Sequence, residues 1–468
     1  MDVDLRHLRP VRAVSLAAAL LSVALVTSAV TALALGAPRA GAIAVAAPGN
    51  AASSYTPSAS NLEAREWFQD ARFGIFLHWG LYSELGGVGT PGLSEWIMND
   101  ARISAAKYER LASFFNPVHF DSDAWVRQFK AAGARYIVIT SKHHDGFAMF
   151  KTTVSSYNVV DATPFKRDPL AELAAACQRQ GIKLFFYYSQ LDWHHPDYFP
   201  RGATGQFAGR APAGDFARYV EYQNAQIREL VTQYGAIGGI WFDGWWDQKG
   251  TALQNAWDLE RTYKIIHDAQ PAALIVNNHH QNPFPGEDYQ TFERDLPGEN
   301  AMGFNGAQVA RLPLEMSETM NGTWGFSLID TNYKSARTLV TTLVAAAGRG
   351  ANFLLNTGPM PNGEIQGENL KTLAEIGNWL RANGESIYGT RAGPVTPRPW
   401  GVTTQSSGHI YVHVLDWHDP ILSLPLHDSV RSARRLGGGS VGLRRTAAGI
   451  ELTLPQTGEW DRIIVLQK

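Results

Sequence analysis

The sequence predicts a (β/α)8-like TIM barrel followed by a small antiparallel β domain. Three observations carry that prediction. Short apolar or β-branched runs alternate with amphipathic helical stretches over residues 61–390, the pattern of a parallel sheet covered by helices. Nearly every run ends in a side chain able to do chemistry, and barrel enzymes gather such side chains at the carboxyl ends of their strands. Beyond Gly389 the texture changes to short alternating stretches punctuated by turns.

In chain order the strand-like runs are Phe73–Trp79, Tyr136–Ser141, Leu184–Ser189, Gly239–Phe242, Ala273–Val276 and Asn352–Asn356, with weaker candidates around Asp288–Glu293 and Leu314–Met320. Between them Asp121–Ala132, Pro169–Gln180, Asp215–Gln233 and Asn255–Ala269 read as amphipathic helices. Asp121 and Asp215 stand where an N-cap carboxylate accepts from free backbone amides. The runs end in His78, His143 with His144, Tyr187 with Tyr188, Asp243, His279, Glu293, Glu315 and Asn356, which predicts a single pocket at one mouth of the barrel. In residues 391–468, His409–Val414 and Gly449–Leu454 alternate like half-buried strands, with turns at Gly437–Gly439 and Gln456–Gly458. That domain is expected to pack on the barrel, and its Trp400, Trp417 and Trp460 leave a sugar-binding surface open.

Charge and composition exclude several classes. Across 468 residues, 41 Lys and Arg against 43 Asp and Glu leave a net charge of −2, so no whole-protein attraction to nucleic acid or anionic membrane is expected. Hydrophobic residues at 45% and charged residues at 18% describe a globular protein, not a disordered one. The lone Cys177 cannot form an internal disulfide and reads as a small buried hydrophobe. At the N-terminus, Arg6, Arg9 and Arg12 precede an uncharged stretch from Ala13 to Ala37, and small residues follow at Ala40, Gly41 and Ala42. This is the layout of a secretory signal over residues 1–42, with a flexible Ala/Pro/Ser/Gly-rich tether over 43–60, so the expected location is secreted or extracytoplasmic. The apolar stretch is long enough to act as a membrane anchor if it stays uncleaved.

The chemistry centres on two carboxylates. Asp243 ends a buried run and is ringed by Trp241, Trp245 and Trp246. It could simply cap the following segment, but a strand-end Asp before Gly244 with aromatic walls suits a nucleophile. Glu293 ends the aromatic stretch Tyr289–Glu293 and could equally be a solvated loop residue. Two carboxylates at neighbouring strand ends are the equipment of retaining glycoside hydrolysis, one attacking the anomeric carbon and the other passing a proton. The proton donor gains from an apolar neighbour such as Phe292, which raises its pKa. A metal site is not expected: His143 and His144 are adjacent and on a strand would face opposite ways, and no H-x-H or H-E-x-x-H spacing occurs. The histidines suit hydrogen bonding to sugar hydroxyls instead, since neutral imidazole both donates and accepts.

Several segments together resemble α-L-fucosidases of glycoside hydrolase family 29. They are Phe73-Gly74-Ile75-Phe76-Leu77-His78-Trp79-Gly80, Glu95-Trp96, Lys142-His143-His144-Asp145-Gly146-Phe147, Tyr187-Tyr188-Ser189, Trp241-Phe242-Asp243, Trp324-Gly325-Phe326 and Asn352-Phe353-Leu354-Leu355-Asn356-Thr357-Gly358-Pro359 with Gly363, in consistent order from about Glu66 to Thr390. The resemblance implies a barrel with a C-terminal β-sandwich and a retaining double displacement without cofactor. It implies that Asp243 is the nucleophile and Glu293 the general acid/base, with Glu315 and Glu299 as rivals because that carboxylate shifts along the chain between subfamilies. It further implies that His78, Glu95, His143, His144, Tyr187 and Trp241 hold fucose hydroxyls, and that Trp96 and Trp324 form an aromatic wall.

Two departures stand out: His279 occupies a position where many relatives carry arginine, so its contact to the sugar would differ, and Leu314-Glu315 replaces a common Trp-Glu. Asn321-Gly322-Thr323 is a formal glycosylation sequon. The reading is an exported exo-acting α-L-fucosidase acting on fucosylated oligosaccharides or glycoconjugates. The alternatives are a barrel glycosidase for another deoxy or galacto-configured sugar, or a catalytically silent carbohydrate-binding protein.

Overall fold

The computed structural model describes residues 55–90, 92–427, 430–454 and 458–468; the segment read as a secretory signal, and the tether up to residue 54, lie outside them. Eight parallel strands form one sheet: β1 Phe73–Leu77, β2 Tyr136–Lys142, β3 Lys183–Ser189, β4 Gly239–Asp243, β5 Leu274–Asn277, β6 Gln290–Glu293, β7 Leu314–Thr319 and β8 Ala351–Thr357. Their order is β5-β4-β3-β2-β1-β8-β7-β6, a nearly closed barrel, and all eight coincide with the runs read from the sequence. Side chains alternate between two environments, as strand geometry requires. Phe76, Tyr136, Val138, Phe185, Tyr187 and Trp241 fill the interior, while Ile75, Leu77, Ile137, Ile139, Phe186 and Tyr188 pack outward in the cluster formed with the covering helices. Gly74 is required by the inner packing, because a Cβ there would come within 2.4 Å of the Tyr136 ring.

The one pair of neighbours without a ladder is β5 and β6, and Asp288 stitches that seam. Its backbone N–H donates to the Ile275 carbonyl at 2.8 Å, and its Oδ2 accepts from the Ile275 N–H at 2.7 Å. The same fully buried carboxylate takes the Arg65 guanidinium at 2.6 Å and the Tyr55 hydroxyl at 3.2 Å, with His267 Nε2 at 3.1 Å. Arg65 belongs to the helix Ala59–Ala71, which begins on the N-cap Ser58 and lies across the N-terminal end of the barrel. Phe68 of that helix packs on Tyr136 and Tyr289, with centroids 5.3 and 4.3 Å away.

Asp121, Asp168 and Asp215 cap the helices Ser122–Ala131, Pro169–Gln180 and Phe216–Gln233 through their carboxylates. The next helix, Leu259–Ala269, starts four residues later than its sequence pattern, after Asp258 turns left-handed at φ 49°. Helices Ala59–Ala71, Ala336–Gly348 and Gly367–Asn383 add to those the pattern singled out. The second of them is apolar on most of its circumference and buried, so it shows no polar face to mark a period.

The C-terminal residues form two antiparallel sheets, as a sandwich does. The first contains β9 Arg391–Ala392, β10 Gly401–Gln405, β11 His409–Val414, β13 Ser432–Arg435 and β16 Arg462–Gln467; the second contains β12 Ile421–Leu424, β14 Gly442–Thr446 and β15 Gly449–Thr453. Trp400, Ile410, Val412, Leu422, Leu452 and Ile464 form their shared core. The sequon Asn321-Gly322-Thr323 is closed to modification in the folded state. Asn321 and Thr323 are buried, and the Thr323 hydroxyl donates to the Gly325 carbonyl at 2.7 Å. Cys177 is buried as expected, and burial pushes its thiol up to about 12.

Asp288→Ala removes one partner of a buried ion pair and reopens the seam. A loss of roughly 3–5 kcal/mol in unfolding stability is expected, read as a lowered urea midpoint; an unchanged midpoint would show that the seam needs no stitch.

Candidate active site

At the carboxyl ends of the strands lies a cavity of about 980 Å³. The residues assigned to catalysis or sugar binding from the sequence all line it: His78, Glu95, Trp96, His143, His144, Tyr187, Trp241, Asp243, His279, Glu293 and Trp324; Tyr188 and Asn356, also read as strand-end candidates, do not. The adjacent His143 and His144 both reach it, contrary to the strand-alternation argument, because β2 ends at Lys142 after a register shift and the two histidines sit in the following turn. Their rings lie 4.1 Å apart, while Lys142 pairs with Asp192 at 3.1 Å.

Asp243 ends β4 inside a shell of donors. The Tyr187 hydroxyl donates to Oδ2 at 2.8 Å; the Gly244 N–H and the Trp246 indole N–H donate to Oδ1 at 2.8 and 2.9 Å; Asn278 Nδ2 reaches Oδ1 at 3.5 Å. Gly244 can fold its amide back onto the preceding carboxylate because it adopts φ 90°, and a Cβ there would meet Leu191 Cβ at 2.6 Å. Burial and the nearby Glu293 push the Asp243 carboxyl up to about 6, against the pull of Trp246 and Tyr187. Glu293 ends β6 and is also raised, chiefly by burial, with Asn278 Nδ2 donating to its Oε2 at 2.8 Å. The single Asn278 amide nitrogen therefore touches both carboxylates. The sum of its two contacts limits their oxygens to about 6 Å apart, against the ~5–5.5 Å typical of retaining glycosidases.

The rival carboxylates stand outside the cavity lining. Glu315 is fully buried beneath it, accepting from the Tyr136 hydroxyl at 2.7 Å and the Trp241 indole N–H at 3.0 Å. Glu299 pairs with Arg349 at 2.6 Å. Trp241 has thus committed its N–H to Glu315 and offers the pocket its ring, stacked 5.5 Å from Tyr187.

The rest of the wall is polar but uncharged at the histidines. Burial lowers His78 to about 3, and its Nδ1 is held 2.7 Å from Asn356 Oδ1. Burial also drives His143 and His144 well below the usual histidine range. Ser189 gives its own hydrogen to the Leu191 carbonyl at 2.6 Å, so His144 Nδ1–H donates to Ser189 Oγ at 2.7 Å. That assignment leaves His144 Nε2 with a lone pair, 3.7 Å from Asp243 Oδ2. Glu95, raised to about 7 by burial, accepts the Trp324 and Gly325 amides on Oε2, which fixes the Trp324 wall. Among the described residues, Glu95 Oε1 and His143 Nδ1 are buried without partners. Orphaned polar atoms in a pocket wall call for a guest rich in hydroxyl groups.

His279 reaches the wall but has no nitrogen to spare. Its Nε2 donates to Glu287 at 3.0 Å and its Nδ1 accepts from the Gln281 N–H at 3.0 Å. Its neighbour His280, in a left-handed turn at φ 57°, puts Nε2 3.9 Å from Glu293 Oε2. Asn278 and His280, beside the two carboxylates, are site residues the sequence reading missed; they directly flank a residue it did pick, at the end of a strand it recognised. Trp246, read only as an aromatic wall, is also a hydrogen-bond donor to Asp243. The loop residues Lys249, Gln281, Asn282, Asn300 and Gln308 complete the far side of the cavity unannounced by the sequence. Among the described residues, no group of three or more His, Cys, Asp or Glu side chains is placed to hold a metal ion.

The α-L-fucosidase family model matches residues 42–385. The chain is 29% identical to the α-L-fucosidase of Dictyostelium discoideum, over 87% of this chain and 93% of that protein, and 29% identical to human plasma α-L-fucosidase over 79% and 80%. Among solved structures, α-L-fucosidase isoenzyme 1 of Paenibacillus thiaminolyticus is 34% identical with TM-score 0.75, covering 87% of this chain and 99% of that one. A family 29 α-L-fucosidase of Bacteroides thetaiotaomicron, trapped as a covalent intermediate with 2-fluoro-fucosyl fluoride, is 26% identical with TM-score 0.75, covering 87% and 96%.

In a carboxyl-resolved NMR titration, Asp243 is expected to lose its proton near pH 6. Trp246→Phe removes a donor to the ionised form and should move that midpoint upward. A midpoint unmoved or lowered in the variant would show that the indole does not hold the charge.

Proposed function

The chain belongs to the α-L-fucosidase family, and from that premise we propose that Asp243 is its nucleophile and Glu293 its general acid/base. The activity itself is hydrolysis of α-L-fucosides on fucosylated glycans with retention of configuration. In the first step the Asp243 carboxylate attacks the anomeric carbon. The glycosidic C–O bond breaks, and the leaving oxygen takes the proton of Glu293. In the second, Glu293, now a carboxylate, takes a proton from water; the hydroxide attacks the same carbon and Asp243 leaves. Two inversions restore the starting configuration.

The observation that carries this assignment is Asn278 bridging the two carboxylates inside the cavity. The donors are distributed as the chemistry needs. Asp243 keeps Tyr187, Gly244 and Trp246 as partners of its charged form, whereas Glu293 has only Asn278 and burial favours its protonated form. The neutral histidines and Glu95 would hold hydroxyls, and Phe76 and Trp324 supply an apolar face for the C6 methyl. A sugar lacking those hydroxyls would leave buried polar atoms unpaired, which is a steep penalty.

We also propose that the protein is exported. The Arg-rich start, the uncharged Ala13–Ala37 stretch and the small residues after it support that reading. N-terminal sequencing of the mature protein should begin after about residue 42, and a mature cytoplasmic chain beginning at Met1 would contradict export.

Asp243→Ala should abolish turnover of an aryl α-L-fucoside without unfolding the protein; near-normal turnover would remove Asp243 from the reaction. Glu293→Ala should slow hydrolysis by about 10²–10⁴-fold, and less for activated aryl leaving groups that need no acid. If Glu315→Ala shows that leaving-group dependence and Glu293→Ala does not, the acid/base role moves to Glu315.

A further inference from the structure

A second cavity, about 690 Å³, lies between the helix Gly367–Asn383 and the C-terminal sandwich. It is remote from the catalytic mouth. The helix starts beside the carboxyl end of β8, where Asn369 donates to Thr357 Oγ1 at 2.8 Å, and runs down the barrel to the far end, where Tyr388 donates to the Gly133 carbonyl just before β2. The cavity is formed by the second half of this helix, away from the mouth.

Its walls are built from two kinds of group. Trp379 and Trp460 are half-buried, and neither indole N–H has a hydrogen-bond partner among the described residues. Asp461, also in the wall, keeps its side chain fully buried and paired with His413, its Oδ2 2.6 Å from His413 Nδ1. Around it the wall carries Glu375 and Glu459, with Arg435 the one Lys or Arg of the lining and already paired to Glu459 at 2.6 Å. This charge pattern selects against an anion and for a neutral ligand that brings hydroxyl groups to the two indole N–H donors and to Glu375, and a flat face to the indoles. Trp400 and Trp417 do not take part: Trp400 lies in the sandwich core, and the Trp417 N–H is spent on the Ile421 carbonyl at 3.2 Å.

We propose that this groove is a carbohydrate-binding site, separate from the catalytic one, for a neutral hexose or N-acetylhexosamine unit of the glycan. It would hold the protein on the glycan while terminal residues are removed, so its effect falls on polymeric substrates and not on small fucosides.

The test uses the full chain carrying Asp243→Asn, saturated with free fucose to occupy the catalytic cavity. A linear tetrasaccharide of alternating galactose and N-acetylglucosamine is then titrated calorimetrically. Binding is expected, and Trp460→Ala should weaken it by about tenfold, the size of one lost aromatic contact. Trp379→Phe, which keeps the packing of that side chain, should weaken it less. In the Asp243-intact background both tryptophan variants should hydrolyse a small aryl α-L-fucoside at the normal rate, which establishes that they fold. Absence of binding, or binding equal in all variants, would overturn the proposal. So would binding competed away by fucose, which would place the tetrasaccharide in the catalytic cavity. Failure of the fucosidase assignment would appear separately, as an intact-background chain that binds the tetrasaccharide but does not cleave the fucoside.

Discussion

Two carboxylates that burial would rather neutralise share one amide group, and the rest of the site is arranged around that fact. Desolvation raises both Asp243 and Glu293, and the Glu293 charge adds to the cost of ionising Asp243. What separates them is the count of donors. Asp243 has a phenol, an indole and a backbone amide fixed on it, whereas Glu293 has the Asn278 amide alone. The donors to Asp243 are uncharged, so its ionised form is favoured without a cation, which would quench the nucleophilicity that its proposed role requires. Neutral histidines around it fit the same logic, because a charged imidazolium beside Asp243 would pair with it and block attack.

The aromatic shell does two jobs at once. Tyr187 and Trp241 are part of the barrel interior, packed with Phe76 and Val138, and the same residues present polar atoms upward or downward from that layer. Tyr187 sends its hydroxyl to Asp243, while Trp241 sends its N–H down to Glu315. Glu315 is thereby a buried carboxylate pushed up to about 7 beneath the pocket floor, positioning a wall residue. Glu315 is the second residue of β7, near its amino-terminal end, and so lies below the pocket, whereas Glu293 is the last residue of β6 and opens into it.

That distinction marks how far the sequence could be read. The eight strands were legible because parallel-sheet strands are continuous apolar runs, and the capping aspartates because a carboxylate before a helix has one common use. The strand-end face of the pocket was legible from strand-end chemistry together with the family resemblance, while the loop face from Lys249 and Gln281 to Gln308 was not. His279 and His280 could not be told apart: the difference between them is a left-handed turn at His280, a backbone event with no composition signature. The helix Ala59–Ala71 was hidden for a different reason. Its role is to cover the end of the barrel, and that is a tertiary contact with Tyr136 and Tyr289, far along the chain.

The placement of the seam gives the two carboxylates unequal supports. Asp243 ends β4, which is hydrogen-bonded on both sides, to β3 and β5. Glu293 ends β6, which is laddered to β7 alone and faces the seam on its other side. At the lower end of that seam Asp288 joins the chain before β6 to Ile275 of β5; at the upper end the Asn278 amide reaches from the end of β5 to Glu293. Glu293 is therefore clasped to the Asp243 side of the barrel by one carboxylate below and one amide above. The firmer hold on Asp243 suits the proposed nucleophile, which must meet one carbon from one direction. The lighter hold on Glu293 suits the proposed acid/base, which must serve first the leaving oxygen and then a water molecule in the same place.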